Sequence, residues 1–142
     1  MAIDRETIEN KLKKLEQVIV KLEECKKVKK EDFAIDFRIS DAAMYNLVQG
    51  IEIIIDIGNH ILSEVFHITA DEYAQVIEKL GETNVIPSDF AKENRDMARF
   101  RNLIIHAYEK IDLDKVYQNL QKAPDIFRQF AKYYLEFLEK LV

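Results

Sequence analysis

Apolar residues recur along this chain at steps of three and four rather than two, a spacing that predicts helices from end to end. The first run, Asp4 to Lys27, sets Ile8, Leu12, Leu15, Ile19 and Leu22 on one stripe. Asp4 is placed to cap it, with Thr7 at the position where a capping box would hold Glu. The charged stretch from Val28 to Asp36 reads as a connection. A second helix is expected from Ser40, its cap, to about Val65, with Ala43, Leu47, Ile51, Ile54, Ile55, Gly58 and Leu62 on helical spacing. The isoleucine-rich stretch Ile51–Ile57 would also suit a buried strand, but the helical reading is preferred. A shorter helix opens at Thr69 or Asp71 and ends at Gly81 as its C-cap. Pro87, with Ser88 and Asp89 in the first turn, starts a helix that runs through Phe90, Met97, Phe100, Leu103, Ile104 and Ala107 to about Lys110. Asp112 or Asp114 caps the last helix, which carries Val116, Leu120, Ile126, Phe130, Tyr134, Phe137, Leu138 and Leu141. Pro124 is expected to kink or restart it. The sum is an all-α fold: an antiparallel four-helix up-and-down bundle with one additional short helix.

The length of 142 residues suits a single domain, 1–142, with a core of its own. Three glycines and two prolines leave little punctuation for hairpins, which reinforces the helical reading. The one cysteine, Cys25, excludes an intramolecular disulfide and suits a reducing cytoplasm. No secretory signal is expected in the charged N-terminus, and no apolar run reaches the roughly 20 residues of a membrane span. A cytoplasmic protein with no membrane partner is therefore expected. The net charge of −5 argues against broad affinity for nucleic acid, and no DNA partner is expected. The charge is uneven: Asn10–Lys30 holds eight Lys against three Glu, and Glu31–Ala91 twelve acids against two bases. The basic stretch is either a solvated face or a phosphate-facing rim beside an acidic docking surface.

Phosphate loops, zinc-type cysteine pairs, His-Glu-x-x-His and Gly-x-Ser-x-Gly elbows are all missing from the sequence. His60 and His67 are too far apart for an evident metal site and read as surface or helix-terminal histidines. Neither a metal nor a cofactor is expected. What remains is Arg101-Asn102-Leu103-Ile104-Ile105-His106-Ala107-Tyr108, where a guanidinium, a carboxamide, an imidazole and a phenol crowd an otherwise apolar helix. A guanidinium makes paired hydrogen bonds to a phosphodiester and keeps its charge. An imidazole moves protons near neutrality. Together they can cleave RNA without metal, one group taking the ribose 2′-hydroxyl proton while another protonates the leaving 5′-oxygen.

On a continuous helix at about 100° per residue, Arg101 and Tyr108 share a line while His106 lies about 140° round from Arg101. One chain alone makes a poor acid–base team. The spacing therefore points to a homodimer, with two Arg and two His converging across a two-fold axis. Arg95 and Arg99 read as RNA-binding or surface charges. Glu52 and Asp56, four apart on one helix face, could salt-bridge Arg101 or Arg95 and orient the guanidinium, a role ranked above metal binding. Arg101 and Asn102 could equally cap or bridge helices, His106 be an interior histidine and Tyr108 an interface aromatic.

The Arg101-x4-His106-x-Tyr108 pattern, with Met97 to Phe100 before it, Asp56-Ile57-Gly58-Asn59-His60-Ile61 and Val85-Ile86-Pro87, resembles the HepT-like HEPN family over most of the chain. The resemblance implies a dimeric, metal-independent endoribonuclease toxin that cleaves tRNA or mRNA and pairs with a minimal nucleotidyltransferase antitoxin. Arg101 and His106 would be its cleavage residues, assisted by Asn102, and Tyr108 the target of adenylylation, which would set negative charge beside Arg101. A non-catalytic module that binds a nucleotide or the nucleotidyltransferase is the alternative.

Overall fold

The computed structural model describes residues 3–141, so positions 1, 2 and 142 of the expected single domain lie outside the described residues. Helix α1 (Arg5–Lys26) opens on Asp4, whose carboxylate accepts the Thr7 backbone N–H at 3.0 Å and the Thr7 hydroxyl at 2.7 Å. That is the expected cap. Its expected stripe is buried at Ile8, Leu15, Ile19 and Leu22.

The supposed connection that follows contains a short helix, α2 (Lys30–Ile35). Phe33 explains it: the ring is buried and packs edge-on against Tyr117 at 5.2 Å, while Glu31 and Asp32 complement the N-terminal dipole. One aromatic gives no periodicity, so sequence pattern alone could not mark this turn. Helix α3 (Phe37–Phe66) starts earlier than expected because Asp36, not Ser40, caps it, accepting the Arg38 backbone N–H at 3.1 Å. Ser40 is instead buried inside the first turns.

Helix α4 (Tyr73–Glu82) is capped by Glu72 in a reciprocal box with Gln75, rather than by Thr69 or Asp71. Gly81 does not terminate it. The glycine sits inside the helix where a Cβ would come within 2.6 Å of the Ala91 Cβ, so its smallness lets α4 approach α5 (Ser88–Asn94). The positive φ of 61° after α4 belongs to Asn84.

The expected single helix from Pro87 to Lys110 is broken twice. α5 stops at Asn94, whose buried amide donates to the Phe90 carbonyl at 2.9 Å. α6 (Met97–His106) resumes after two residues, and Ala107 at φ −131° leaves the helix before a 3₁₀ turn at Tyr108–Lys110. Helix α7 (Leu113–Lys140) is capped by Asp112, which accepts the Asp114 N–H at 2.9 Å. It runs through Pro124 without the expected restart, because Leu120, Ala123, Pro124 and Phe127 are all buried and hold the flanking turns in place.

Cross-links give the directions. The start of α1 meets the end of α3, with the Asp4 N–H donating to His60 Nε2 at 3.0 Å, and Lys11 pairs with Asp56 at 3.6 Å. The Arg5 guanidinium donates to the Leu138 carbonyl at 2.9 Å while Tyr117 donates to Val28 at 2.7 Å, so α1 opposes α7 as well. Tyr134 donates to the Ile54 carbonyl at 2.7 Å and Phe127 covers Gly50, which sets α3 and α7 parallel. α6 runs against α3, since Arg101 meets Glu52 and Tyr108 meets Asp41. The result is the expected all-α up-and-down bundle of α1, α3, α5–α6 and α7, with its third rod broken, α4 as the expected short helix and α2 as a second one.

Parallel α3 and α7 approach closely because Gly50 and Gly58 carry no side chain. A Cβ on Gly50 would enter the Phe127 ring, and one on Gly58 would lie 2.8 Å from Leu80 Cδ1 and 3.0 Å from the Tyr134 hydroxyl. Gly50→Ala should therefore lower unfolding stability by about 1–2 kcal/mol, overpacking outweighing the gain in helix propensity. Urea denaturation measures this, and an unchanged or raised midpoint would contradict the close approach.

Candidate functional site on the third rod

α6 presents Arg101, Asn102 and His106 within one and a half turns. Arg101 is braced from three directions. Its Nε and Nη2 donate to Glu52 Oε1 on α3 at 3.2 and 2.6 Å, its Nη1 donates to Asn102 Oδ1 at 3.1 Å, and its Cζ lies 4.8 Å from the centroid of the Tyr73 ring at the start of α4. The Arg101 side chain is 19% exposed. A guanidinium carries five N–H groups, so one on each Nη remains for a ligand such as a phosphate. Asn102 spends its oxygen on Arg101 and keeps its amide N–H groups.

The expected carboxylate partner of Arg101 is thus Glu52 and not Asp56, which faces α1 and pairs with Lys11. Arg95 is not drawn to the site either; it closes the α5–α6 break onto α4 through Glu78 at 2.6 Å. Arg99 is exposed and shares with Arg101, Asn102, Glu72 and Tyr73 an open hollow of about 510 Å³. His106 is exposed, does not line that hollow, and makes no side-chain hydrogen bond to another described residue. One chain does not bring the imidazole to the guanidinium.

Tyr108 departs from the expected geometry. Because the helix ends at His106, the phenol belongs to the 3₁₀ turn, and its hydroxyl donates to Asp41 Oδ1 on the first turns of α3. Asp41 and Glu52 lie eleven residues apart, or about 16 Å along α3, so Tyr108 does not sit beside Arg101 as a continuous helix would place it. The hydrogen bond to Asp41, then burial, holds the Tyr108 phenol above its ordinary pKa. Sequence reasoning missed both Asp41 and Tyr73. Their contacts span 67 residues for Asp41–Tyr108 and 28 for Tyr73–Arg101, and neither has a local signature. His67 ends α3 at φ 56°, the helix-terminal place expected of it, whereas His60 lies half-buried inside α3 and accepts the Asp4 backbone N–H. Among the described residues no group of three or more His, Cys, Asp or Glu could hold a metal ion, and no helix is long and apolar enough to cross a membrane.

An all-α up-and-down bundle with Arg, Asn and His gathered on its third rod is a HEPN-type architecture. The chain belongs to the HepT-like ribonuclease family: the family model described as ribonuclease HepT-like matches residues 6–134. It is similar to the mRNA nuclease HepT of Shewanella oneidensis, 29% identical over 98 residues that cover 69% of this chain and 74% of that one. Among solved structures it resembles the tri-AMPylated Shewanella oneidensis HEPN toxin in complex with MNT antitoxin, at 25% identity and TM-score 0.81, covering 89% of this chain and 94% of that chain. The fold is shared with YutE of Bacillus subtilis, a cytosolic protein of unknown function, at 20% identity and TM-score 0.84 over 99% of this chain and 94% of that one.

Two measurements check the site's construction. A double-mutant cycle on Glu52→Ala and Arg101→Ala should give a coupling of about 1–2 kcal/mol, between the values of exposed and buried pairs; a coupling near zero would mean that Glu52 does not hold the guanidinium. Tyr108 should titrate above a free tyrosine and return toward the ordinary value in Asp41→Ala, as followed by its ring resonances. Since the folded value is the raised one, the contact adds stability below the unfolded pKa of about 10, and that stability is lost as pH rises through the folded value. A Tyr108 titration indifferent to Asp41 would contradict the hydrogen bond.

Proposed function

We propose that the chain is a metal-independent endoribonuclease toxin whose active site forms when two copies bring their α6 helices together across a two-fold axis. The observation that carries this reading is the state of Arg101: immobilised by Glu52, Asn102 and Tyr73, yet with one N–H on each Nη unused and the side chain lining an open hollow. A phosphodiester of tRNA or mRNA fits those N–H groups. Arg101 holds the non-bridging oxygens as charge builds on them, and Asn102 adds a neutral donor. The 2′-oxygen attacks phosphorus, one His106 takes its proton, the bond to the 5′-oxygen breaks, and the second His106 supplies the proton that the leaving oxygen needs. His106 lies outside the hollow of its own Arg101, so the partner copy has to supply the imidazole. Leu103 and Ile105, 46% and 42% exposed, lie on either side of His106 and give that contact apolar surroundings.

Regulation follows the Shewanella complex. A minimal nucleotidyltransferase acts as antitoxin and adenylylates Tyr108, and the attached nucleotides carry negative charge toward Arg101. The separation along α3 is too long for a single phosphate to bridge, and a string of adenylates spans it. The net charge of −5 favours a second reading, a non-catalytic module that binds a nucleotide or that nucleotidyltransferase.

Incubation of the dimer with total tRNA and with mRNA in EDTA separates the two. Wild-type protein should cleave, and His106→Ala and Arg101→Ala should lose about a hundredfold or more in rate. Equal cleavage by wild type and both variants would overturn the nuclease and leave the binding module.

A further inference from the structure

The chain has six tyrosines, at positions 45, 73, 108, 117, 133 and 134, and their hydroxyls are not equivalent. Tyr117 and Tyr134 donate to the backbone carbonyls of Val28 and Ile54, groups that cannot take a proton. Tyr134 is moreover wholly buried. Among the described residues only Tyr108 donates to a carboxylate, Asp41. Tyr45 supplies a comparison within the molecule: it stands one turn beyond Asp41 on α3 and is 64% exposed, more than the 49% of Tyr108, but has no carboxylate partner. Exposure alone would favour Tyr45 as a modification site, and the carboxylate singles out Tyr108.

We propose that Asp41 is the base that accepts the Tyr108 phenol proton when adenylate is joined to it. This rests on the reading of Tyr108 as the acceptor. In the transfer, Tyr108 Oη bonds to the α-phosphorus of the nucleoside triphosphate held by the nucleotidyltransferase, the bond from that phosphorus to the β-phosphate oxygen breaks, pyrophosphate leaves, and the proton passes to Asp41 Oδ1. A carboxylate is ordinarily about six pH units less basic than a phenolate, so the proton cannot leave in a separate first step. It moves as the new P–O bond forms and the phenol becomes acidic, which is general-base catalysis. Asp41 is free for this. The nearest base on its helix, Arg38, is committed to Asp36 at 3.0 Å, and no described Lys, Arg or His pairs with Asp41 itself. Being partly buried in the first turns of α3, the carboxylate is held in place, whereas the phenol on its short turn faces solvent, where a second protein can reach it.

The consequence for the product is a changed contact. Once esterified, the oxygen has no proton to donate, and a phosphodiester stands beside a carboxylate. Like charges then push the modified ring off Asp41.

Asp41→Asn tests this cleanly, because the carboxamide oxygen still accepts the phenol hydrogen bond but takes no proton. The dimer is incubated with a minimal nucleotidyltransferase of the kind seen in the Shewanella complex, magnesium and ATP, and adenylate is counted by intact mass and located by peptide mapping. Wild type should gain adenylate on Tyr108 and Tyr108→Phe none. Asp41→Asn should be slower by about a hundredfold with unaltered affinity for the nucleotidyltransferase, and Asp41→Glu should recover part of the rate. Equal rates in wild type and Asp41→Asn overturn the role of Asp41 while leaving Tyr108 as acceptor. A rate lost only in step with affinity also overturns it, since Asp41 would then be a docking residue. Wild type that gains no adenylate on Tyr108 removes both readings.

Discussion

Half of the thirty residues of α3 are buried, and that burial constrains everything around it. Ile51, Ile53, Ile54, Ile55 and Ile57 point to nearly every side of the helix, so α1, α4, α6 and α7 must all pack against it. A helix apolar on so many faces has few places for polar side chains. One is a narrow stripe toward the third rod: Asp41 and Glu52 lie eleven residues apart, which brings Glu52 back to within about 20° of Asp41. Its two carboxylates take the two functional groups of the third rod, Glu52 holding Arg101 and Asp41 holding Tyr108. The site is laid out along α3 even though its motif is written on α6.

That arrangement explains which parts of the protein could be read from sequence. The Asp4–Thr7 cap, the Asp112 cap and the apolar stripes of α1 and α7 depend on residues within four positions of one another, and periodicity finds them. The α2 turn around Phe33 depends on what packs against it from elsewhere in the chain. The same holds for Gly81, whose smallness serves α5 and not the end of its own helix, and for Pro124, whose helix is kept intact by buried neighbours. In each of these, tertiary contact overrode a sound local rule.

The site divides in the same way. Of the proposed site, Arg101, Asn102 and His106 were legible because a guanidinium, an amide and an imidazole on an apolar helix stand out as chemistry. Glu52 was legible as one of two carboxylates on a helix face, but choosing it over Asp56 needed the packing angle of α3. The four-residue step from 52 to 56 turns Asp56 about 40° further round, enough to face Lys11 on α1. Tyr73 and Asp41 carried no signal, since an aromatic at the start of a short helix and an acid in the first turns of a long one are both commonplace.

The charge balance bears on how such a site would meet RNA. A chain at net −5 does not gather polyanions by its general field, so binding has to come from a few well-held cations. Pairing Arg101 with Glu52 offsets part of its charge, which weakens long-range attraction for phosphate. It also fixes a side chain that would otherwise lose about 2 kcal/mol of rotamer entropy on ordering around a ligand. Attraction at a distance is given up for geometry at contact, and geometry is what stabilises a transition state over a ground state. A free surface arginine would bind RNA more readily and cut it less well. The same logic makes a regulator that delivers negative charge effective, because one well-placed cation per copy has little surplus charge with which to tolerate a competing anion.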